Sequence, residues 1–199
     1  WHLYVPSELR AGEIGKTDWA GYLAAERRVF DSVRQEVMQK LEPEERRSLN
    51  RYFEGSPAYP AHLPRDWNRS YVLEPEGPIQ GAAVFLHGLT DSPYSVHYLA
   101  QRYQQLGFVA VAPRLPGHGT APGALTAVDR EEWIATTRLA VREATRLAGD
   151  DAPLHVFGYS NGGALAMKYA LDALDAPELR KPQQIVLLSP MIGVTAFAR

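Results

Sequence analysis

The sequence predicts an α/β fold: a parallel sheet with helices covering both faces. Three observations carry this. The stretches GAAVFLHG, FVAVAPRL, PLHVFGYS and QQIVLLSP are apolar almost throughout instead of alternating, the pattern of strands buried on both sides. Amphipathic helical stretches separate them. Glycine and proline fall at the junctions, as with Pro93 inside one helix start and Gly107 just past its end.

The chain of 199 residues suits one domain with an appended piece. The formal net charge of -2 gives no reason to expect nucleic acid or an anionic membrane as a partner. Cysteine is absent, which excludes disulfides, thiolate metal sites and a cysteine nucleophile. No apolar run approaches the roughly 18 residues of a spanning helix. The first residue is Trp1, not Met. An upstream segment removed from the chain would lean the localisation towards a bacterial cell envelope.

Taken in order, residues 1–16 show no clear period. Residues 17–42 do. Trp19, Tyr22, Leu23, Phe30, Val33, Val37 and Leu41 recur at helical spacing, and Thr17 or Asp18 can cap the start. This amphipathic helix is expected to pack against a larger body. Pro43, Glu44 and Glu45 predict the first turn of a second helix running to about Phe53. Residues 54–68, with Pro57, Pro60 and Pro64, read as an ordered connector. The expected division is therefore an N-terminal helical extension and connector over 1–65, and a core over 66–199.

Within the core, RSYVLEP predicts a short strand, EGPIQ a turn, and GAAVFLHG a buried strand. A helix over 93–106 should turn Val96, Leu99, Ala100, Tyr103 and Leu106 inward. The strand FVAVAPRL follows. A helix over 129–148 opens on Asp129 and Glu132, a capping-box pair. The strand PLHVFGYS, a helix over 161–174 and the strand QQIVLLSP complete the pattern.

The chemistry sits in Gly158-Tyr159-Ser160-Asn161-Gly162. A serine on a tight strand-to-helix turn is exposed above the sheet edge, and glycines flank it where side chains would collide with strand and helix. The helix N-terminus favours a developing oxyanion. An acyl-transfer serine also needs two N–H donors. One is normally the residue after the nucleophile, here Asn161. The other comes from the loop after an earlier strand, where Leu89 is the best candidate. His87 at that strand end, and His118 in Arg114-Leu115-Pro116-Gly117-His118-Gly119-Thr120, read as loop-shaping residues.

HGLTDSP, PRLPGHGT and GYSNGG, in that order, resemble the α/β-hydrolase superfamily, and most of all its bacterial carboxylesterase and monoacylglycerol-lipase branch. The likeness covers residues 70–199. It implies Ser160 as nucleophile, Leu89 and Asn161 as oxyanion donors, and a small-molecule ester with an apolar acyl chain as substrate. It implies no cofactor and no metal.

In this fold the nucleophile is followed by an Asp or Glu and then a His. After Ser160 there is no histidine, and Asp172, Asp175 and Glu178 lie on or just past the helix leaving the turn. The expectation is an N-terminal portion of a longer hydrolase, lacking the last strands and ending where a lid begins. The catalytic acid and histidine would come from beyond Arg199, in a C-terminal remainder of the same protein. The alternatives are a peptidase of the same superfamily, or a non-catalytic binding module if the chain is complete.

Overall fold

The structure, a computed structural model, describes residues 1–193. The start of a lid expected near Arg199 lies outside the described residues. The elements are α1 (Ala11–Lys16), α2 (Trp19–Glu36), β1 (Tyr71–Leu73), β2 (Gly81–Leu86), α3 (His97–Gln105), β3 (Phe108–Ala112), α4 (Arg130–Ala148), β4 (Leu154–Tyr159), α5 (Asn161–Asp175) and β5 (Gln184–Leu188).

The five strands form one sheet in the order β1-β3-β2-β4-β5. The pairs β2–β3, β2–β4 and β4–β5 are parallel, as expected. β1 departs from the expectation, because it pairs antiparallel with β3, Tyr71 opposite Ala112. The short link from β1 to β2 explains it. Residues 74–80 are too few to run back along the sheet, so β1 must end at the edge where β2 starts, and it therefore runs against both β2 and β3, the parallel neighbour of β2.

The strands are apolar throughout because both faces are covered. Ala82, Val84, Leu86, Val109, Val111, Leu154 and Val156 face a core shared with α1, α4 and α5. Ala83, Phe85, Ala110, Ala112 and Phe157 face the opposite side, against Val96 and Ala100 of the segment entering and forming α3. β5 is one edge of the sheet among the described residues, β1 being the other, and is only half-buried.

The N-terminal segment is built into this body. Ile14, Trp19 and Tyr22 belong to the same buried cluster as β2, β3 and α4. Asp18 caps α2, accepting from the Gly21 N–H at 2.8 Å. Helix α1 escaped the sequence reading because six residues are too few to show a period.

The helix expected over 17–42 ends at Glu36, before a 3₁₀ turn at Met38–Lys40. Two further expected helices differ. Residues 43–53 close only one 3₁₀ turn, Pro43–Glu45. Leu49, the sole apolar side chain between 46 and 51, is 94% exposed, so a helix there has no face to bury. Arg47 Nε donates to Glu44 O and Asn50 Nδ2 to Glu45 O, taking carbonyls that a helix would give to its own N–H groups. In the second case a 3₁₀ turn, Pro93–Val96, precedes α3. Its tighter winding shifts the inward face. His97 and Ala100 are buried, while Leu99 and Leu106 are exposed.

Candidate active site

Ser160 stands between the end of β4 and the start of α5, with φ +51° and ψ -116°. A non-glycine residue in that region is strained and persists only where its surroundings hold it. Here they do. The Ser160 N–H donates to Leu188 O at 2.9 Å, and Ser160 O accepts from Gly163 N at 2.9 Å and Met191 N at 3.0 Å. The loop after β5 thus clamps the serine backbone from one side and α5 from the other.

The flanking glycines answer to close approach. A Cβ on Gly158 would lie 2.3 Å from Gly162 O, and one on Gly162 would lie 2.1 Å from Leu86 O. Both contacts are with backbone, so no side chain can move aside. The same contact seats the end of β2 against the turn that carries Ser160. Gly88 lies directly across: a Cβ there would be 3.4 Å from Ser160 Cβ.

The three residues singled out by sequence therefore gather at the C-terminal ends of β2 and β4. Asn161 is buried and follows Ser160. Leu89 is 41% exposed and follows Gly88, just before Thr90 turns the chain at φ +63°. Among the described residues, neither the Leu89 nor the Asn161 backbone N–H donates to another protein group. The Asn161 Nδ2 is also buried without a partner.

No described histidine hydrogen-bonds Ser160. His87 is fully buried. Its Nε2 accepts from Leu115 N at 3.1 Å, so Nδ1 carries the proton and donates to Gly88 O at 2.9 Å. Burial, reinforced by neighbouring His118, lowers its pKa to about 3. It is a neutral brace between two loops. His118 donates from Nδ1 to Pro116 O, and its ring packs on His87 and Trp133. Burial lowers its pKa too. His155 is five residues before Ser160 on β4, roughly 16 Å away at a strand's rise. His62 and His97 bond backbone carbonyls of Ser56 and Tyr94. Of the later acids, Asp172 pairs with Lys168 and Arg138.

Sequence reasoning missed Arg114. Its side chain is 1% exposed and opens the loop 114–120 beside the site. It makes a two-pronged bond to Glu8, 2.8 Å on each arm, and a third to Glu26 at 3.2 Å. It also donates to His118 O, and Glu8 accepts from Gly117 N. Ser70 Oγ links Glu26 to Arg114 N. Burial alone would raise the Glu8 carboxyl's pKa, but the Arg114 guanidinium outweighs it and holds it below the usual range. Only the apolar company of Arg114 in VAPRLPG hinted at its burial.

Among the described residues, no group of three His, Cys, Asp or Glu side chains is placed to hold a metal ion. No described helix is long and apolar enough to cross a membrane.

Comparison with known proteins bears on this arrangement. Residues 77–198 match a hydrolase family described as serine aminopeptidase, S33. The thermostable monoacylglycerol lipase of Bacillus sp. (strain H-257) is 32% identical over 95 residues, 47% of this chain and 36% of that protein. The chain thus spans little more than a third of the length of that curated relative. A structure of the metagenome-derived lipolytic enzymes LipS and LipT superposes with a TM-score of 0.53 and 27% identity, covering 64% of this chain and 47% of that one. The monoacylglycerol lipase of Paleococcus ferrophilus gives 0.51 and 25%, covering 64% and 46%.

Proposed function

The chain belongs to the hydrolase family described as serine aminopeptidase, S33, within the α/β-hydrolase superfamily, and from that premise we propose that it acts as a serine hydrolase on carboxylic esters with an apolar acyl chain. The observation that carries the reading is Ser160. It is a strained, non-glycine residue held at the mouth of a helix, next to Asn161 and across from Gly88, which precedes Leu89, and no described acceptor engages the backbone N–H of Asn161 or Leu89.

In the proposed reaction, Ser160 Oγ attacks the ester carbonyl as its proton passes to a general base. The N–H groups of Leu89 and Asn161 hold the oxyanion. The C–O bond then breaks, and the alcohol leaves with the proton. Water, deprotonated by the same base, cleaves the acyl-enzyme to the acid and frees Ser160. The base and its orienting acid are proposed to come from outside these 199 residues. In support, both ring nitrogens of His87 are occupied, and His155 lies at the far end of β4. The monoacylglycerol lipases and lipolytic enzymes among the relatives support the ester.

The test is reaction of the full-length protein with a fluorophosphonate, the label located by mass spectrometry. One label per chain on Ser160, lost in Ser160→Ala together with p-nitrophenyl butyrate hydrolysis, is the expected result. Labelling elsewhere, or hydrolysis that survives Ser160→Ala, would overturn it. The family's description favours one second reading, an aminopeptidase. Cleavage of an aminoacyl p-nitroanilide in preference to the butyrate ester would select it.

A further inference from the structure

A cavity of about 1120 Å³ opens beside the candidate site. One wall is Thr90–Ser92, continuing directly from Leu89. A second is Gly117–Pro122, from the loop that Arg114 anchors. The third is the N-terminal segment, Glu44–Tyr52 with Trp1. The last two walls are bonded together, because Arg51 Nη2 and Tyr52 Oη both donate to Thr120 O.

The lining describes its ligand. Arg47 and Arg51 stand against Glu44, Glu45 and Asp91, so neither sign dominates and a neutral group fits best. Trp1 and Tyr94 are 40% and 50% exposed at the cavity, offering aromatic faces to an apolar ring surface. Three polar atoms of lining residues are covered and have no partner among the described residues: His118 Nε2, Thr120 Oγ1 and Arg51 Nε. They are complementary in kind. His118 Nδ1 donates to Pro116 O, so Nε2 is an acceptor. Arg51 Nε–H is a donor, and Thr120 can be either. A group of neighbouring hydroxyls, each both donor and acceptor, is the chemistry that satisfies such a set. Because the three atoms are covered, the sugar reaches them by replacing the Arg51 bonds to Gly119 O and Thr120 O that close this corner of the cavity.

We propose that this cavity binds a neutral sugar ring, the alcohol half of the ester whose carbonyl reaches Ser160. Its assignment as the alcohol half rests on the hydrolase function proposed above. The aromatic rings of Trp1 and Tyr94 favour a sugar over an acyclic three-carbon alcohol, since only the ring presents an apolar face to stack on them.

Binding without turnover tests this. Methyl β-D-glucopyranoside is titrated into the full-length Ser160→Ala protein and followed by saturation-transfer NMR and tryptophan fluorescence, with each variant's melting temperature recorded. The expected result is saturable millimolar binding, weakened about three- to tenfold by Thr120→Val, the loss of one hydrogen bond. Tyr94→Ala weakens it similarly. Because Thr120 Oγ1 has no partner among the described residues, Thr120→Val keeps or raises the melting temperature, separating lost recognition from lost fold. Arg142→Ala, remote on α4, leaves binding unchanged. Absence of saturable binding, indifference to both cavity variants, equally tight binding of glycerol, or displacement of the sugar by a fatty acid would each overturn the proposal. Fluorophosphonate labelling of Ser160 is independent of all four outcomes, so the two readings fail separately.

Discussion

The turn carrying Ser160 and the loop 114–120 lie at the same end of the sheet but are held in opposite ways. Crowding fixes the first: Gly158, Gly162 and the carbonyls around them leave no room for another arrangement. Charge fixes the second, through Glu8 and Glu26, which lie 106 and 88 residues away along the chain. The first mechanism has no reserve, because backbone cannot yield. The second depends on three side chains that must be present together, since one guanidinium balances carboxylates that have left water. The difference teaches that neighbouring walls of one site can have unrelated weaknesses.

The largest expected effect attacks the crowded turn. Gly162→Ala places a methyl against Leu86 O and should cost about 4 kcal/mol or more, or prevent folding. Gly12→Ala in α1, where a Cβ meets nothing within 4 Å, should instead stabilise by about 0.5–1 kcal/mol. Denaturant midpoints for the two variants check the contrast, which fails if they match.

Next comes the charged loop. Arg114→Met leaves Glu8 and Glu26 buried without their partner and should cost about 3–5 kcal/mol. Adding Glu8→Gln and Glu26→Gln should restore much of it. A triple variant no more stable than Arg114→Met would show that packing, not charge, holds the loop.

Acid sharpens the comparison further. His87 is neutral in the folded chain, with its pKa lowered to about 3 by burial, and takes a proton near pH 6.5 when unfolded. The unfolded state therefore binds more protons between these values. Stability is complete above about pH 6.5 and falls by about 1.4 kcal/mol per pH unit as the pH drops towards 3. His118 acts in the same direction. Glu8, held below its ordinary value, adds a loss below about pH 4.5 as it protonates and releases Arg114. Unfolding measured from pH 7 to 4.5 should show a flatter slope in His87→Asn, and an unchanged slope would contradict a neutral, buried His87.

The smallest effect concerns the serine. Ser160→Gly relieves the strain at φ +51° and should stabilise by about 1 kcal/mol while abolishing fluorophosphonate labelling. A loss of stability would mean the conformation carries no strain.

These contrasts track what could be read in advance. The four parallel strands were legible because two-sided burial writes itself into continuous apolar runs. The turn at Ser160 was legible because its requirements fall within six residues. β1's direction was not, since it follows from the length of a link and not from β1's own residues. Residues 43–53 misled, because Pro43-Glu44-Glu45 is a sound helix start with no apolar face behind it. The Arg114 cluster left almost no trace, since Glu8, Glu26 and Ser70 each look like ordinary surface residues until the chain brings them together.

The distance along the chain between Glu8 and Arg114 also sets a schedule for synthesis. At about 5–20 residues per second, roughly 5–20 s separate the making of Glu8 from that of its partner 106 residues later. Through that interval Ile14, Trp19 and Tyr22 have no sheet to cover, and the two carboxylates have no cation to meet. The segment carrying Glu8 is made well before the surface that receives it, so on the ribosome it stays open to chaperones and to misdocking.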